Sequence, residues 1–535
     1  MPYLDLHDHI KLLEECGLLY RISRPIDKNS ELHALVRLQF RGLPEDERKA
    51  FLFENVTDAS GRRYQQPVLA SALAPSRKIY ALGMQCAPGE IGQRWVQGIS
   101  RPIAPTLVTS AKCQERIHWV ASDAGPGTGL DLFPIPISTP GFDPAPFTTC
   151  SHWVTHDPET GTRNVGNYRG HVKAPNRIGL ALLGPNQGLY AHWTKARAAG
   201  KPLEAAIVIG APPLITYAAA SKVPAGLDEL SVAGSLAGEA IPVVRCKTVD
   251  VIVPADAEIV IEGRISTEHF EPEGPFGEFY GHVHPIEMAR FMDITCITCR
   301  SDCVWTSLVS QLAPSESSVM RRLSTEALFL AHLRDAMGIK SVKRVIMTEE
   351  LLSVRKLAII QMENPHSDQA RRALLGAASY QAACAKIVIA VDADIDPEDL
   401  TSIMWAVGVR AKLDKDLIVV PGFDQGMMPP FEVDDQGHVA HLQRNSSALM
   451  LIDATMKEPL PPVALPKQHY MDKALAIWSE LGLPKLDLRS PWYGYSLGQW
   501  NEHLDEAAEA AVRGDYYRNG EHLSAQRKPV DNRKV

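Results

Sequence analysis

Between about Leu107 and Thr306 proline and glycine cut the chain into short β-rich runs, and this punctuation constrains the fold more than any other feature. The runs include Val154 to His156, Ala206 to Gly210, Ile241 to Arg245 and Glu258 to Glu262. Turn residues separate them, as in Pro134-Ile-Pro-Ile-Ser-Thr-Pro140-Gly141. Asp157-Pro158-Glu159-Thr160-Gly161 has the residues of a tight turn between two strands. Many short strands with few long helices predict a barrel-like or sandwich core.

The flanks read differently. Leu6, Ile10 and Leu13 fall on one face of a helix that Gly17 would stop. A strand at Leu18 to Ile22 and a helix from about Glu31 to Gln39 follow, which makes residues 1–106 an N-terminal α/β segment ahead of a core over 107–313. Ser315 to Met337 reads as one long helix. Pro314 breaks the chain before it, Ser315 or Ser317 caps it, Met320, Leu323, Ala327 and Leu330 stripe one face, and Gly338 ends it. It is expected to connect two modules over 314–338 and to serve as a hinge. Strands at Ser341 to Met347, Ile387 to Val391 and Leu417 to Val420 alternate with helices at Asp368 to Ala383 and Pro397 to Val407, an α/β domain over 339–460. After the linker Pro459 to Pro466, residues 461–535 form a helical extension (Met471 to Leu481, Asn501 to Gly514) placed to reach a partner subunit, with a solvated tail from Gln526. The whole is α+β.

The totals exclude several classes. A chain of 535 residues, 45% hydrophobic and 22% charged, buries large cores in roughly two to four domains. A net charge of −8 argues against a nucleic-acid partner. The most apolar stretch, Ala205 to Ala220, is broken by Gly210 and Pro212-Pro213 and falls short of a membrane span. The N-terminus shows neither the basic nor the apolar region of a secretory signal. Nine scattered cysteines then predict reduced thiols in a cytoplasm.

The densest chemistry lies in Glu271-Pro-Glu273-Gly-Pro-Phe-Gly-Glu278-Phe-Tyr-Gly281. Proline stiffens such a loop and glycine lets it approach a ligand, so a bend could aim Glu273 and Glu278 into one pocket, where unlike surroundings would divide acid and base roles. By spacing alone, a surface turn with solvated charges fits equally well. Arg163-Asn164-Val-Gly-Asn-Tyr-Arg169 reads as a strand with Asn164, Gly166 and Tyr168 on one face; its amide and guanidinium suit an anion, though Arg169 taken alone also reads as an edge-strand arginine. Other patterns carry less. Cys296, Cys299 and Cys303 have a metal-like spacing, but a strand points i and i+3 to opposite faces, so they read as structural. Gly125-Pro-Gly127-Thr-Gly129 reads as a plain turn, and His282 and His284 as a metal pair or as residues behind a pocket.

Taken in order, these segments resemble the UbiD family of reversible decarboxylases, which use prenylated FMN. The resemblance includes Asp131-Leu-Phe-Pro-Ile-Pro-Ile-Ser-Thr-Pro, Thr155 through Arg169, Val253-Pro-Ala-Asp-Ala-Glu-Ile-Val-Ile-Glu-Gly263, Pro272 through Glu278 and Val391-Asp-Ala-Asp-Ile-Asp-Pro397. It implies a split β-barrel flavin-binding core and a C-terminal oligomerisation domain in a homodimer or homohexamer. It implies Arg169, Glu273 and Glu278 as the catalytic set, and Asn164 and Glu229 as ligands of a divalent metal, manganese, beside the cofactor phosphate. Lys386 would bind that phosphate, and potassium is a further candidate ion. The family's third metal ligand is a histidine, where Leu183-Gly-Pro-Asn-Gln-Gly188 places Pro185 or Asn186; Asn186, water or His192 would have to serve instead. The implied substrate is an aromatic, heteroaromatic or α,β-unsaturated acid, free or within a coenzyme A thioester, releasing CO₂. A flavin prenyltransferase would supply the cofactor. The same site run as a carboxylase, a flavin-binding protein without this activity, and a plain FMN oxidoreductase are the alternatives.

Overall fold

A computed structural model describes residues 5–182, 184, 187–224, 226–348, 356–366, 368–380, 385–424, 433–438, 446–488, 492 and 498–529. The first helix, Leu6–Glu15, starts where the Asp5 carboxylate accepts the Asp8 N–H at 3.0 Å, and it buries Leu6, Ile10 and Leu13. Gly17, at φ +66°, turns the chain out of it as expected. Leu19–Ile22 then runs parallel to Ala50–Phe53, which pairs antiparallel with Val68–Ala70. The fourth strand of this sheet, Trp305–Ser307, comes from the end of the punctuated region, so the N-terminal segment is completed by the core.

The punctuated region forms a ten-stranded sheet in which every pairing is antiparallel. Its path runs from Arg163–Asn167 through Ser151–His156, Leu203–Ile209 and Ile259–Ile265 to the 13-residue strand Glu287–Cys299, then Arg177–Leu180, Gly170–Ala174 and Phe147–Thr148. The Asp157–Gly161 turn joins its first two strands, with the Asp157 carboxylate accepting the Glu159 and Thr160 N–H groups. Alternate residues serve opposite faces. Trp153, Ile207 and Ile261 enter one core with Phe51, Phe53 and Leu130, while Val154, Ala206, Val208 and Val260 enter another with Ile215, Leu230 and Ala233.

The helix after Pro314 covers Glu316–Ala331 and is capped by Ser315, whose Oγ accepts the Ser318 N–H at 3.2 Å. It ends sooner than its apolar stripe suggests, because a π-helical turn, His332–Ala336, replaces the last α-helical turns before Gly338. Nor is it an exposed connector. It packs on the Ile91–Ser100 helix and on the Val342–Met347 strand, and its buried side chains lie around most of its circumference. Glu316 accepts N–H bonds from Leu73 and Val309 at 2.9 and 3.1 Å, and Glu326 accepts one from Met347 at 2.8 Å.

Beyond it lies a five-stranded mixed sheet in the order Val342–Met347, Leu357–Met362, Ile387–Asp392, Ser446–Asp453, Leu417–Asp424. Leu357–Met362 and Ser446–Asp453 escape the sequence reading: the first is a short run buried throughout, and such a run has no alternation to mark it. The helix Gln369–Ser379 is shorter than its expected span, whose residues 381–383 lie outside the described part, and Leu400–Arg410 has its expected length but begins three residues later than expected. Helices Gln468–Glu480, Glu502–Val512 and Tyr516–Ala525 bury no residue. Among the described residues no helix is long and apolar enough to cross a membrane, and the eight cysteines described are free. The fold is mixed α/β.

Candidate active site

Arg169 follows the edge strand Arg163–Asn167. The carbonyl before it is fixed twice, by the Ser151 hydroxyl at 2.6 Å and the Trp153 indole N–H at 3.1 Å, which anchors the backbone that leads into Arg169. Glu273 closes the strand Glu271–Glu273, opposite Glu287 on the long strand. Gly274, at φ +98°, then reverses the chain and donates its N–H to His171 Nδ1 at 3.3 Å. A two-stranded hairpin, Phe276–Gly277 with Val283–His284, presents Glu278. At Gly277 a Cβ would lie 2.3 Å from Thr139 Oγ1, so glycine is what lets this hairpin close on the neighbouring loop. The dense acidic segment is therefore folded against the sheet, and the solvated-turn reading does not hold for Glu273 or Glu278.

Arg169 Nε donates to Glu273 Oε1 at 2.8 Å, its Nη2 to Glu273 Oε2, and its Nη1 to Glu278 Oε1. Glu287 Oε1 lies 3.9 Å from Nη2. Glu273 is 0% exposed, and Arg169 and Glu278 are each 9% exposed. The guanidinium carbon sits 5.0 Å from the Phe276 ring centroid, and Phe276 packs on Phe147. Burial alone would lower the Arg169 pKa, but Glu273, Glu278 and Glu287 outweigh it and hold the group above its ordinary value. Burial pushes the Asp143 carboxyl up to about 6, although the Thr139 and Gly277 amides and Arg37 and Arg169 pull it down. Burial also lowers His171 to about 4.

This cluster opens on a cavity. Arg169, Glu278, Phe276 and Phe279 line it from the sheet and hairpin, and Met320 and Arg321 from the Glu316–Ala331 helix. Gln187 and Tyr168 also line it. The sequence reading brings together Arg169, Glu273 and Glu278. It misses Asp143, His171, Gln187 and Arg321, each of which stands alone in its segment. Only Gln187 had a signal nearby, at the end of the Leu183–Gly188 stretch.

Asn164 and Glu229 lie just behind. The Asn164 Nδ2 is buried without a hydrogen-bond partner among the described residues, and a Cβ at Gly188 would come within 2.0 Å of its Oδ1. Glu229 begins the Glu229–Ala237 helix and accepts the Val165 N–H at 2.9 Å; burial pushes its carboxyl up to about 7. Glu229 thus bonds the residue next to Asn164, and a carboxylate and an unsatisfied amide are donors that suit a cation. Among the described residues no cluster of three or more His, Cys, Asp or Glu is arranged to hold a metal. His192 Nδ1 bonds Thr155 Oγ1 at 2.9 Å, and Thr155 stands opposite Asn164 in the ladder. Leu183, Pro185 and Asn186 lie outside the described residues. Lys386 is exposed just before the Ile387–Asp392 strand and does not line the cavity. His282 is exposed, whereas His284 is buried against the Tyr280 hydroxyl, so the pair does not converge. Cys296, Cys299 and Cys303 are buried.

Carboxylates tied to a buried guanidinium at the edge of a cavity make an enzyme-like site on this mixed α/β fold, and the similarity to known proteins gives its class as carboxy-lyase. The chain belongs to the UbiD family. Residues 10–99, 106–312 and 318–438 match the N-terminal, Rift-related and C-terminal domains of 3-octaprenyl-4-hydroxybenzoate carboxy-lyase. A protein of Synechocystis sp. is 30% identical over 85% of this chain and 90% of its own. The UbiD-class enzyme HmfF from Pelotomaculum thermopropionicum, in complex with FMN, superposes with a TM-score of 0.74 at 29% identity, covering 85% of this chain and 95% of that one. An evolved dimeric form of HmfF is in complex with prFMN. The 3,4-dihydroxybenzoic acid decarboxylase of Enterobacter cloacae gives a TM-score of 0.73 at 26% identity, covering 89% and 100%.

Proposed function

We propose that this chain is a non-oxidative, reversible decarboxylase of an aromatic, heteroaromatic or α,β-unsaturated carboxylic acid, working with prenylated FMN. The observation that carries the reading is Arg169 held between Glu273 and Glu278 at the edge of the cavity. Losing CO₂ from an sp² carbon leaves a carbanion, and the bound cofactor supplies the electron sink for it. The chain's own residues do the rest. Glu273, fully buried and bidentate, fixes Arg169. Arg169 orients the anionic substrate, and Glu278, which lines the cavity, delivers the proton that replaces CO₂. Phe276, Phe279 and Leu308 keep water from that space.

Asn164 and Glu229 would hold a divalent metal, manganese, at the cofactor phosphate. Residues 107–313 would form the split-barrel flavin-binding domain and 339–460 the oligomerisation domain. The three C-terminal helices without buried residues support a homo-oligomer. The test is expression beside a flavin prenyltransferase, followed by a panel of carboxylic acids assayed for CO₂ release and deuterium exchange. A flavin-loaded protein silent across the panel would overturn the reading.

A further inference from the structure

The segment between Glu273 and Glu278 is fastened at both ends by buried side chains from outside it. At its start, Gly274 donates its N–H to His171 Nδ1 at 3.3 Å. At its end, Gly277, the residue before Glu278, donates its N–H to Asp143 Oδ1, also at 3.3 Å. The second Asp143 oxygen accepts the Thr139 N–H at 2.5 Å, and Thr139 is the residue that a Cβ at Gly277 would strike. One carboxylate therefore joins the Phe276–Gly277 strand of the hairpin to the 139–143 turn. Asp143 is 8% exposed and does not line the cavity.

The charged groups that face Asp143 are Arg37, from the Leu32–Gly42 helix, and Arg169, and the hairpin adds Glu278. Neither arginine forms an ion pair with Asp143 among the described residues. Arg37 donates instead to the Thr139 hydroxyl at 3.3 Å and the Ser310 carbonyl at 3.1 Å. Burial outweighs both cations, so the ionised carboxylate costs stability at neutral pH where an amide of the same shape would not. What the ionised form alone offers is two acceptor oxygens for two N–H groups. The acid gives one oxygen to its own proton, and an asparagine puts an N–H₂ there.

We propose that Asp143 is a positioning residue for Glu278, its ionised carboxylate holding the hairpin, through the Gly277 N–H, where Glu278 meets Arg169 and the cavity. This rests on the carboxy-lyase reading and adds a residue to it. A carboxylate that served the fold alone would hold the hairpin and the whole chain together, and its loss would weaken both.

The test compares full-length, cofactor-loaded wild type with Asp143→Asn. Amide hydrogen exchange over residues 274–284 should show protection falling about tenfold or more in the variant at pH 7.5. The urea midpoint should rise. The folded pKa, about 6, lies above the ordinary 3.8, so the carboxyl's contribution is complete below 3.8 and is lost as the pH rises through 6. For the acid turned over best, kcat at pH 7.5 should fall about tenfold or more with KM within about twofold, and this gap should narrow toward pH 5. Unchanged protection, lost protection with unchanged kcat, or a fall in the urea midpoint would overturn the proposal. Should the variant fail to fold, wild type decides alone. Its protection over 274–284, normalised to the 287–299 strand, should drop between pH 7.5 and 5, a range in which His171 keeps its bond, and constancy would overturn the proposal. The stated loss of protection in a protein that turns over no acid would sink the carboxy-lyase reading and leave Asp143 as the fastening of the hairpin.

Discussion

Arg169 and Glu273 meet as two planar forks, Nε on Oε1 at 2.8 Å and Nη2 on Oε2, with Glu273 wholly removed from solvent. Removing one partner from such a pair strands a charge in a place that cannot hydrate it.

Glu273→Gln should therefore destabilise the chain by about 3–5 kcal/mol, read from denaturant midpoints. Arg169→Lys keeps the charge but not the fork, so it should lose turnover more than it loses stability. Wild-type stability in Glu273→Gln would show that the pair is not what holds Arg169.

Glu278 stands differently. It faces the cavity, and Arg169 keeps Glu273 when Glu278 is neutralised. Glu278→Gln should fold within about 1 kcal/mol of wild type and lose roughly 10²–10⁴-fold in deuterium exchange with the cofactor bound. Normal exchange would remove Glu278 as proton donor.

His171 gives the site a pH limit. Its Nδ1 accepts the Gly274 N–H, and burial lowers its pKa to about 4. An unfolded chain protonates a histidine near its ordinary value of 6.5. The contribution of the neutral ring is thus complete above 6.5 and is lost as the pH falls toward 4. Between pH 7.5 and 5 wild type should lose about 2 kcal/mol more than His171→Asn, measured by urea unfolding. Parallel pH profiles would place the sensitivity elsewhere.

Gly188→Ala probes the metal assignment without substituting a ligand. The new Cβ would lie 2.0 Å from Asn164 Oδ1 and must displace that amide. Manganese content after reconstitution should drop severalfold, while the helix that begins at Gly188 gains a better helix former. Full manganese occupancy would count against Asn164 as a ligand.

What the sequence reveals divides by range. The Asp157–Gly161 turn, the Leu6–Glu15 helix and the Ser315 cap are local events, written in neighbouring residues. Trp305–Ser307 is not legible, because its partner is Val68–Ala70 and nothing in its own three residues names that strand. The site divides in the same way. Glu273, Glu278 and Arg169 declare a chemistry by type and crowding, but their burial comes from the long strand and from Phe276, which only the fold supplies. Met320 reads as core, and it does pack there with Val319 and Leu323 while also lining the cavity. Arg321, beside it, lies outside the apolar stripe of Met320, Leu323, Ala327 and Leu330 and carries no signal of its own.

The cavity is thus built by two parts of the chain with separate duties. The sheet and its hairpin carry Arg169, Glu273 and Glu278, and the first two turns of the Glu316–Ala331 helix carry Ser317, Met320 and Arg321. Inheritance can act on them one at a time. Substitutions confined to one helical face would reshape one wall of the cavity while leaving the Arg169, Glu273 and Glu278 cluster in place.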